Sequence, residues 1–237
     1  MDKTRTHLEG LDDVLGGGIP AGHVVLVVGA PGTMKSSLSY AILHENAARG
    51  IPGLYVSLEQ HTSSLLSQMN RLGYESAEAS KNLSILDLAA LRSKMPETNT
   101  PWIDFFKMYT SGLKKSFGFR LLVLDSLDAL EILARIKNYR NDIYELFRWL
   151  HNLDCTSIVI GELASSHSEA MPQEHPGFSR HREDYLADGI IHLKLEKQGE
   201  FGTQRQLRIV KMRGAKHSTS HHALVFERGL KVTQLVS

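Results

Sequence analysis

The segment Gly29-Ala30-Pro31-Gly32-Thr33-Met34-Lys35-Ser36 directly follows an apolar run, His23–Val28. It matches the phosphate-binding P-loop pattern G-x-x-x-x-G-K-[ST] except at Met34, where the pattern has glycine. In such a loop the backbone N–H groups and the positive end of the following helix bind phosphate oxygens. We therefore predict a phosphate site in which Lys35 reaches the β/γ-phosphates and Ser36 binds Mg²⁺. Its expected residues are Gly29, Pro31, Gly32, Thr33, Met34, Lys35, Ser36 and Ser37.

Two further apolar runs end in carboxylates. Arg120–Leu124 leads into Asp125, and P-loop enzymes place such an aspartate beside the metal, where it orients Mg²⁺ or its waters. Leu54–Leu58 leads into Glu59, at the strand end where ligands bind in open α/β sheets. Glu59 is therefore a candidate base for an attacking water. The alternatives are that Asp125 is a structural cap and that Glu59 simply opens the next helix.

Two cations, Lys211 and Arg213, follow a strand with alternating character. Their i, i+2 spacing points both side chains the same way. They could stabilise charge on a transferring phosphoryl group or form a solvated face, and the residues alone favour the solvated face. His217, His221 and His222 are close in sequence, but without a supporting Cys or carboxylate pattern they are interpreted as exposed loop histidines rather than a metal site.

The elements that position these residues alternate between apolar runs and helical patterns, which predicts an α/β fold with a mostly parallel sheet covered on both faces. The predicted strands are 23–28, 54–58, 83–86, 120–124 and 157–161, and the predicted helices are 35–48, 62–72, 101–116 and 139–153. A polar loop, 163–182, follows. Four more strands, near 190–196, 206–211, 223–227 and 230–233, are expected to extend the sheet as an antiparallel meander. We expect residues 1–237 to form one domain.

Composition sets limits on the function. The chain has 237 residues, 42% hydrophobic and 22% charged, with a net charge of +1, which gives no electrostatic reason to expect nucleic acid or an anionic membrane as partner. The single cysteine, Cys155, is expected to be a buried structural thiol. No stretch has the length of a membrane span, and the first ten residues lack a signal peptide's apolar core. We expect a cytoplasmic protein.

Four motifs, in order, resemble the KaiC-like ATPases of the RecA superfamily. They are the lead-in Gly10–Gly22 with the P-loop, Ser57–Gln60, the strand ending at Asp125, and Lys211–His217. The resemblance covers about residues 7–233. It implies a RecA-like P-loop fold that binds ATP with Mg²⁺ between the subunits of a homo-oligomeric ring, usually a hexamer.

By the same resemblance, Lys211 and Arg213 would reach the γ-phosphate bound by the neighbouring subunit, and Arg205 and Glu227 would contact the nucleoside across the interface. Catalytic roles therefore fall to Glu59, Lys35, Lys211 and Arg213.

The chain also departs from the family pattern. Gln60 replaces the second carboxylate of the family's Glu pair, which leaves Glu59 as the candidate base. Asp184-Tyr185 stands where clock members carry an autophosphorylated Ser-Thr pair, which argues against an identical autokinase function. The leading hypothesis is a regulatory ATPase with slow hydrolysis. The alternatives are a nucleotide-gated scaffold without turnover and a recombinase paralogue that binds single-stranded DNA through residues 163–182.

Overall fold

The computed structural model of the protein describes residues 2–95, 99–136, 138–162, 183–198 and 202–235. Its strands are β1 (Lys3–Thr4), β2 (Ile19–Pro20), β3 (Val24–Gly29), β4 (Gly53–Ser57), β5 (Leu83–Asp87), β6 (Leu121–Asp125), β7 (Thr156–Glu162), β8 (Gly189–Gln198), β9 (Gly202–Met212), β10 (His221–Phe226) and β11 (Leu230–Gln234). Its helices are α1 (Leu11–Val14), α2 (Lys35–Ala47), α3 (Thr62–Arg71), α4 (Ala77–Asn82), α5 (Leu88–Ser93), α6 (Trp102–Phe117), α7 (Leu127–Ala134) and α8 (Tyr139–His151). The predicted loop 163–182 lies outside the described residues.

One sheet of nine strands, in the order β11-β10-β9-β8-β3-β7-β6-β4-β5, organises the molecule. The strands from β8 to β5 in that order are parallel to their neighbours, whereas β9, β10 and β11 continue the sheet as an antiparallel meander. The predicted α/β fold, a mostly parallel sheet with an antiparallel C-terminal extension, is confirmed. Because parallel strands share a direction, the carboxyl ends of β3, β7, β6 and β4 lie side by side at one edge.

The central strands are buried on both faces, as near-continuous apolar runs require. Val25 and Val27 of β3 face one apolar layer together with α2, and Val24 and Val28 face the opposite layer. Helix α8 buries its periodic Ile143, Leu146, Phe147 and Leu150 on that second layer, as its spacing predicts. The prediction that Cys155 is buried is also confirmed, and burial raises the pKa of its thiol.

The glycine-rich lead-in packs against the end of the chain. The N–H of Val232 donates to the carbonyl of Glu9 at 2.8 Å, and the N–H of Ser218 donates to the carbonyl of Val14 at 2.8 Å. Gly10 has a φ of 74°, and a Cβ there would lie 1.9 Å from the Val232 carbonyl oxygen. Only glycine fits this approach, which gives the lead-in motif a structural reason.

Several elements differ from the sequence prediction. The short β1–β2 pair and helices α1, α4, α5 and α7 were not predicted. Strand β10 begins at His221, two residues before the predicted start, so the interpretation of His221 and His222 as loop residues is wrong. The Nε2 atom of His222 bonds the hydroxyl of Ser218 at 2.9 Å. Within the described ranges no group of three or more His, Cys, Asp or Glu residues could hold a metal ion, and no helix could cross a membrane.

Candidate nucleotide site

The predicted P-loop joins the end of β3 to the start of α2. Met34, which stands in place of the pattern's second glycine, has φ 73° and ψ 30°. This left-handed conformation costs a side-chain-bearing residue about 1–2 kcal/mol, which explains why the pattern has glycine there. The Met34 side chain is half-buried and packs against the apolar layer beneath α2. Its packing offsets part of the backbone cost.

Lys35 lies over the inside of the loop. Its Nζ atom donates to the carbonyls of Gly29 at 2.8 Å and Ala30 at 3.3 Å. The Thr33 hydroxyl donates to the same Ala30 carbonyl at 2.7 Å. Burial lowers the pKa of Lys35, and nearby carboxylates, Glu162 first among them, oppose that shift. The ammonium group is thus held where a phosphate-bearing ligand would meet it.

Asp125 ends β6 and is only 8% exposed. Burial raises the pKa of its carboxyl group, and hydrogen bonds with the Tyr55 and Ser36 hydroxyls oppose the rise. Tyr55 donates its hydroxyl proton to Asp125 Oδ2, and burial together with this carboxylate raises the pKa of Tyr55 well above its ordinary value. The structure therefore brings the two predicted metal-linked residues, Ser36 and Asp125, into direct contact.

Glu59 follows β4 and is exposed to the cavity described below. The Ser126 hydroxyl donates a hydrogen bond to Glu59 Oε1. The same Ser126 oxygen accepts the N–H of Ala129 at 3.2 Å and so caps α7. The helix cap after β6 therefore orients the candidate base after β4.

These groups line one cavity of about 620 Å³, within the usual range for small-molecule sites. Its walls are formed by the loop, three strand ends, α3 and the antiparallel extension. The lining residues are Pro31, Gly32, Thr33, Met34, Lys35, Ser36, Ser37, Glu59, Gln68, Arg71, Leu72, Asp125, Ser126, Ile160, Gly161, Glu162, Arg205 and Phe226. The hydroxyl and carboxylate oxygens of Ser36 and Asp125 fit Mg²⁺, which prefers one or two protein oxygens and completes its shell with phosphate and water.

Several lining residues were not predicted from the sequence. Glu162 carried a usable signal, since the apolar run 157–161 leads into a carboxylate just as the runs before Glu59 and Asp125 do. Gln68 and Arg71 on α3 and Phe226 on β10 carried none, because only the packing of their elements brings them to the loop.

Arg205 and Glu227, both predicted to contact the nucleoside, lie in different surroundings in the structure. Arg205 on β9 lies against the loop of its own chain, where its Nε donates to the Gly32 carbonyl at 3.2 Å. Glu227 is not among the residues that line the cavity; its carboxylate pairs with Lys231 at 2.7 Å.

Lys211 and Arg213 lie at the opposite end of the strands, near the amino end of β3. Met212 and Gly189 are paired beside Val25, near the start of β3, whereas the loop begins at Gly29, four residues further along. At about 3.3 Å per residue, this places the Met212 backbone about 13 Å from the P-loop, and the backbone of Lys211, which pairs with Ile190 beside Leu26, about 10 Å from it. Neither Lys211 nor Arg213 lines the cavity of its own chain.

Both cations are held by the segment before β8. Lys211 Nζ donates to the carbonyls of Ala187 at 2.6 Å and Asp184 at 2.9 Å. Arg213 donates to the Tyr185 carbonyl at 2.8 Å and to Asp188 Oδ1 at 3.2 Å. Burial, followed by the charge of Arg213, lowers the pKa of Lys211. The Arg213 side chain is 53% exposed and Lys211 is half-buried, and both bind backbone carbonyls of their own chain.

This fold and loop define a P-loop α/β protein, and comparison with known proteins identifies its family. The family model "ATPase: KaiC" matches residues 4–236, so the chain belongs to the KaiC ATPase family. A UPF0273 protein of Aeropyrum pernix is 30% identical over 98% of this chain and 94% of its own length. A UPF0273 protein of Thermotoga maritima is 28% identical over 98% and 96%.

A solved structure supports the fold. The crystal structure of a KaiC-like protein from Pyrococcus horikoshii matches with a TM-score of 0.79 over 98% of both chains, at 24% identity. The predicted RecA-like P-loop fold is thereby confirmed.

Proposed function

We propose that this protein is a Mg²⁺-dependent ATPase that works as an oligomeric regulatory switch with slow hydrolysis. The observation that carries the proposal is the convergence of Lys35, Glu59 and Asp125 on one cavity beside the P-loop. Membership of the KaiC ATPase family supports ATP as the nucleotide. We further propose that residues 1–237 form a single ATPase domain and that the protein is cytoplasmic.

Each residue has a definite role in this proposal. Lys35 and the backbone N–H groups of Gly32–Ser37 bind the phosphates. Ser36 and Asp125 hold Mg²⁺, which when bound neutralises charge on the β- and γ-phosphates. Glu59, oriented by Ser126, positions and deprotonates the attacking water. Because phosphoryl transfer depends mostly on positioning and electrostatics, the orientation of these groups should set the rate.

We also propose that ATP binds between the subunits of a ring, with a hexamer as the expected size. The placement of Lys211 and Arg213 outside the cavity of their own chain supports this arrangement, because it leaves both cations available to a neighbouring chain's nucleotide. The competing interpretation is structural. In it, Lys211 and Arg213 only hold the carbonyls of residues 184–187 and the Asp188 carboxylate.

Mixing two slow variants tests the proposal. Glu59→Gln should slow hydrolysis by about 10²-fold or more while leaving ATP binding intact. Arg213→Ala should also be slow, since a fully used arginine on phosphoryl charge is worth about 10³–10⁵ in rate. If Arg213 acts across the interface, mixed assemblies regain activity at interfaces that pair an intact Glu59 with an intact Arg213. Arg148→Ala, an exposed arginine on α8, is the matched control and should retain full activity.

The contrary outcomes are distinct. If Arg213 acts only within its own chain, no mixture rebuilds a complete site, and activity stays at the level of the separate variants. A monomer that hydrolyses ATP at every nucleotide concentration would also refute the ring. A thermal unfolding temperature lowered in Arg213→Ala, with activity otherwise normal, would establish the structural interpretation.

A second candidate function is a nucleotide-gated scaffold without turnover. It is favoured by Met34 in the loop and by Gln60, which stands where the family has a second carboxylate. Such a protein would change its assembly state on binding ATP and release no phosphate. Measuring size by light scattering and phosphate release in the same samples separates the two functions. With a net charge of +1, we do not propose binding to single-stranded DNA.

A further inference from the structure

Strand β7 ends in a carboxylate beside the P-loop. Glu162 is paired directly with Gly29, the first residue of the loop, and lines the same cavity as Lys35. Side chains alternate along a strand, and Ile160 faces the apolar layer that contains α2, so Glu162 points to that same side. By the same reasoning from Val123, Asp125 points to that side as well. The two carboxylates therefore end neighbouring strands on one face of the sheet.

The first turn of α7 fixes Glu162 as well as Glu59. The N–H of Glu162 donates to Asp128 Oδ2 at 2.8 Å, while Ser126, two residues earlier, donates to Glu59. One helix start thus anchors two carboxylate-bearing strand ends on either side of Asp125. The bond from the Glu162 N–H to Asp128 holds the backbone of the strand end that carries Glu162, and it leaves the exposed carboxylate facing the cavity.

The charge of Glu162 acts on the phosphate-binding group. Glu162 pairs in register with Gly29, whose carbonyl accepts a hydrogen bond from Lys35 Nζ at 2.8 Å, and the Glu162 and Lys35 side chains line the same cavity. A carboxylate this close to Lys35 would also be close to phosphates bound by it. Two negative groups at such range repel each other unless a cation lies between them.

On this basis, and resting on the proposed ATPase function, we propose that Glu162 is a positioning residue on the metal side of the site. Its carboxylate accepts hydrogen bonds from water on the Mg²⁺ held by Ser36 and Asp125, since Mg²⁺ keeps several of its waters in protein sites. Without Mg²⁺ the same carboxylate repels the phosphates. Glu162 therefore strengthens the dependence of ATP affinity on Mg²⁺.

A binding cycle tests this role without relying on turnover. The dissociation constant of ATP is measured by calorimetry in excess EDTA and in excess Mg²⁺, for the wild type and for Glu162→Gln. The variant should bind ATP more tightly in EDTA and more weakly with Mg²⁺, so that the enhancement by Mg²⁺ falls about tenfold. Glu78→Gln, which removes one charge from the exposed surface of α4, is the matched control and should leave the enhancement unchanged.

A second variant covers a failure of the first to fold. Glu162→Asp keeps the charge but shortens the side chain, and it should show an intermediate loss of the enhancement. An unchanged enhancement in Glu162→Gln or Glu162→Asp would overturn the proposal. So would an equal gain in affinity with and without Mg²⁺, which would make Glu162 a simple source of repulsion. If the wild type fails to bind ATP with Mg²⁺, the proposed function itself falls, and that result is recognised before any variant is made.

Discussion

Replacing Met34 by glycine and by alanine, in separate variants, distinguishes backbone strain from side-chain packing in the P-loop. Both changes remove the half-buried side chain beyond Cβ and so lose a similar packing contribution of about 1–2 kcal/mol. Alanine keeps the Cβ atom and with it a cost of about 1–2 kcal/mol at φ 73°. Glycine avoids that cost but loses about 0.5–1 kcal/mol more conformational entropy on folding. We therefore expect Met34→Gly to be more stable than Met34→Ala by about 0.5–1 kcal/mol.

Urea denaturation of the two variants and the wild type measures this difference. Arg148 lies at an exposed position of α8, where alanine should instead be more stable than glycine by about 1 kcal/mol, so the same pair of changes there provides the control. ATP affinity in Met34→Gly should be unchanged or tighter, since glycine restores the P-loop pattern. If Met34→Ala is more stable than Met34→Gly by about 0.5–1 kcal/mol, the glycine entropy cost acts alone, the left-handed strain at this residue does not exist and the explanation of the missing glycine is refuted.

Three further predictions follow from the site and its supports. Lys35→Ala should abolish nucleotide binding in calorimetry, and near-wild-type ATP affinity would contradict the phosphate site. Tyr55→Phe removes a hydrogen bond that lowers the pKa of Asp125, so Asp125 is protonated at a higher pH in the variant. As the pH falls, Mg²⁺-dependent ATP binding should therefore be lost at a higher pH than in the wild type. Coincident pH profiles would exclude this role. Burial raises the pKa of Asp188, but hydrogen bonds from the Val24 N–H and His151 outweigh it and leave the pKa low. Asp188 therefore stabilises the fold above its unfolded pKa of about 3.9 and loses this effect as pH falls through the lower folded pKa. Asp188→Asn should be less stable than the wild type at pH 7, and its stability should approach that of the wild type below about pH 4. A stability difference that does not change with pH would contradict this role of Asp188.

The parts of the fold that the sequence could predict are those with a local signal. Apolar runs gave the central strands, and the three- and four-residue spacing of Ile143, Leu146, Phe147 and Leu150 gave α8. The positions of Lys35, Ser36 and Asp125 were likewise readable, because glycine loops and strand-end carboxylates are local patterns.

What could not be predicted depends on contacts between distant residues. Arg205 reaches the P-loop because β9 pairs with β8, and β8 lies beside β3. Helix α7 has too few residues for a clear period, and its position follows from the Ser126 cap. The left-handed conformation of Met34 could not be predicted from the residue type either, since residues other than glycine rarely adopt a positive φ.

The backbone hydrogen bond between Val232 and Glu9 has a consequence for how the chain folds during synthesis. It joins residues 223 positions apart, so the lead-in segment cannot reach its native partner until β11 has been translated. At roughly 5–20 residues per second, the ribosome needs about 10–45 s to cover that interval. During this time the apolar side chains of Leu11 and Leu15, fully buried in the finished fold, lack their final covering. The closing of the lead-in against β11 should therefore be a late step of folding.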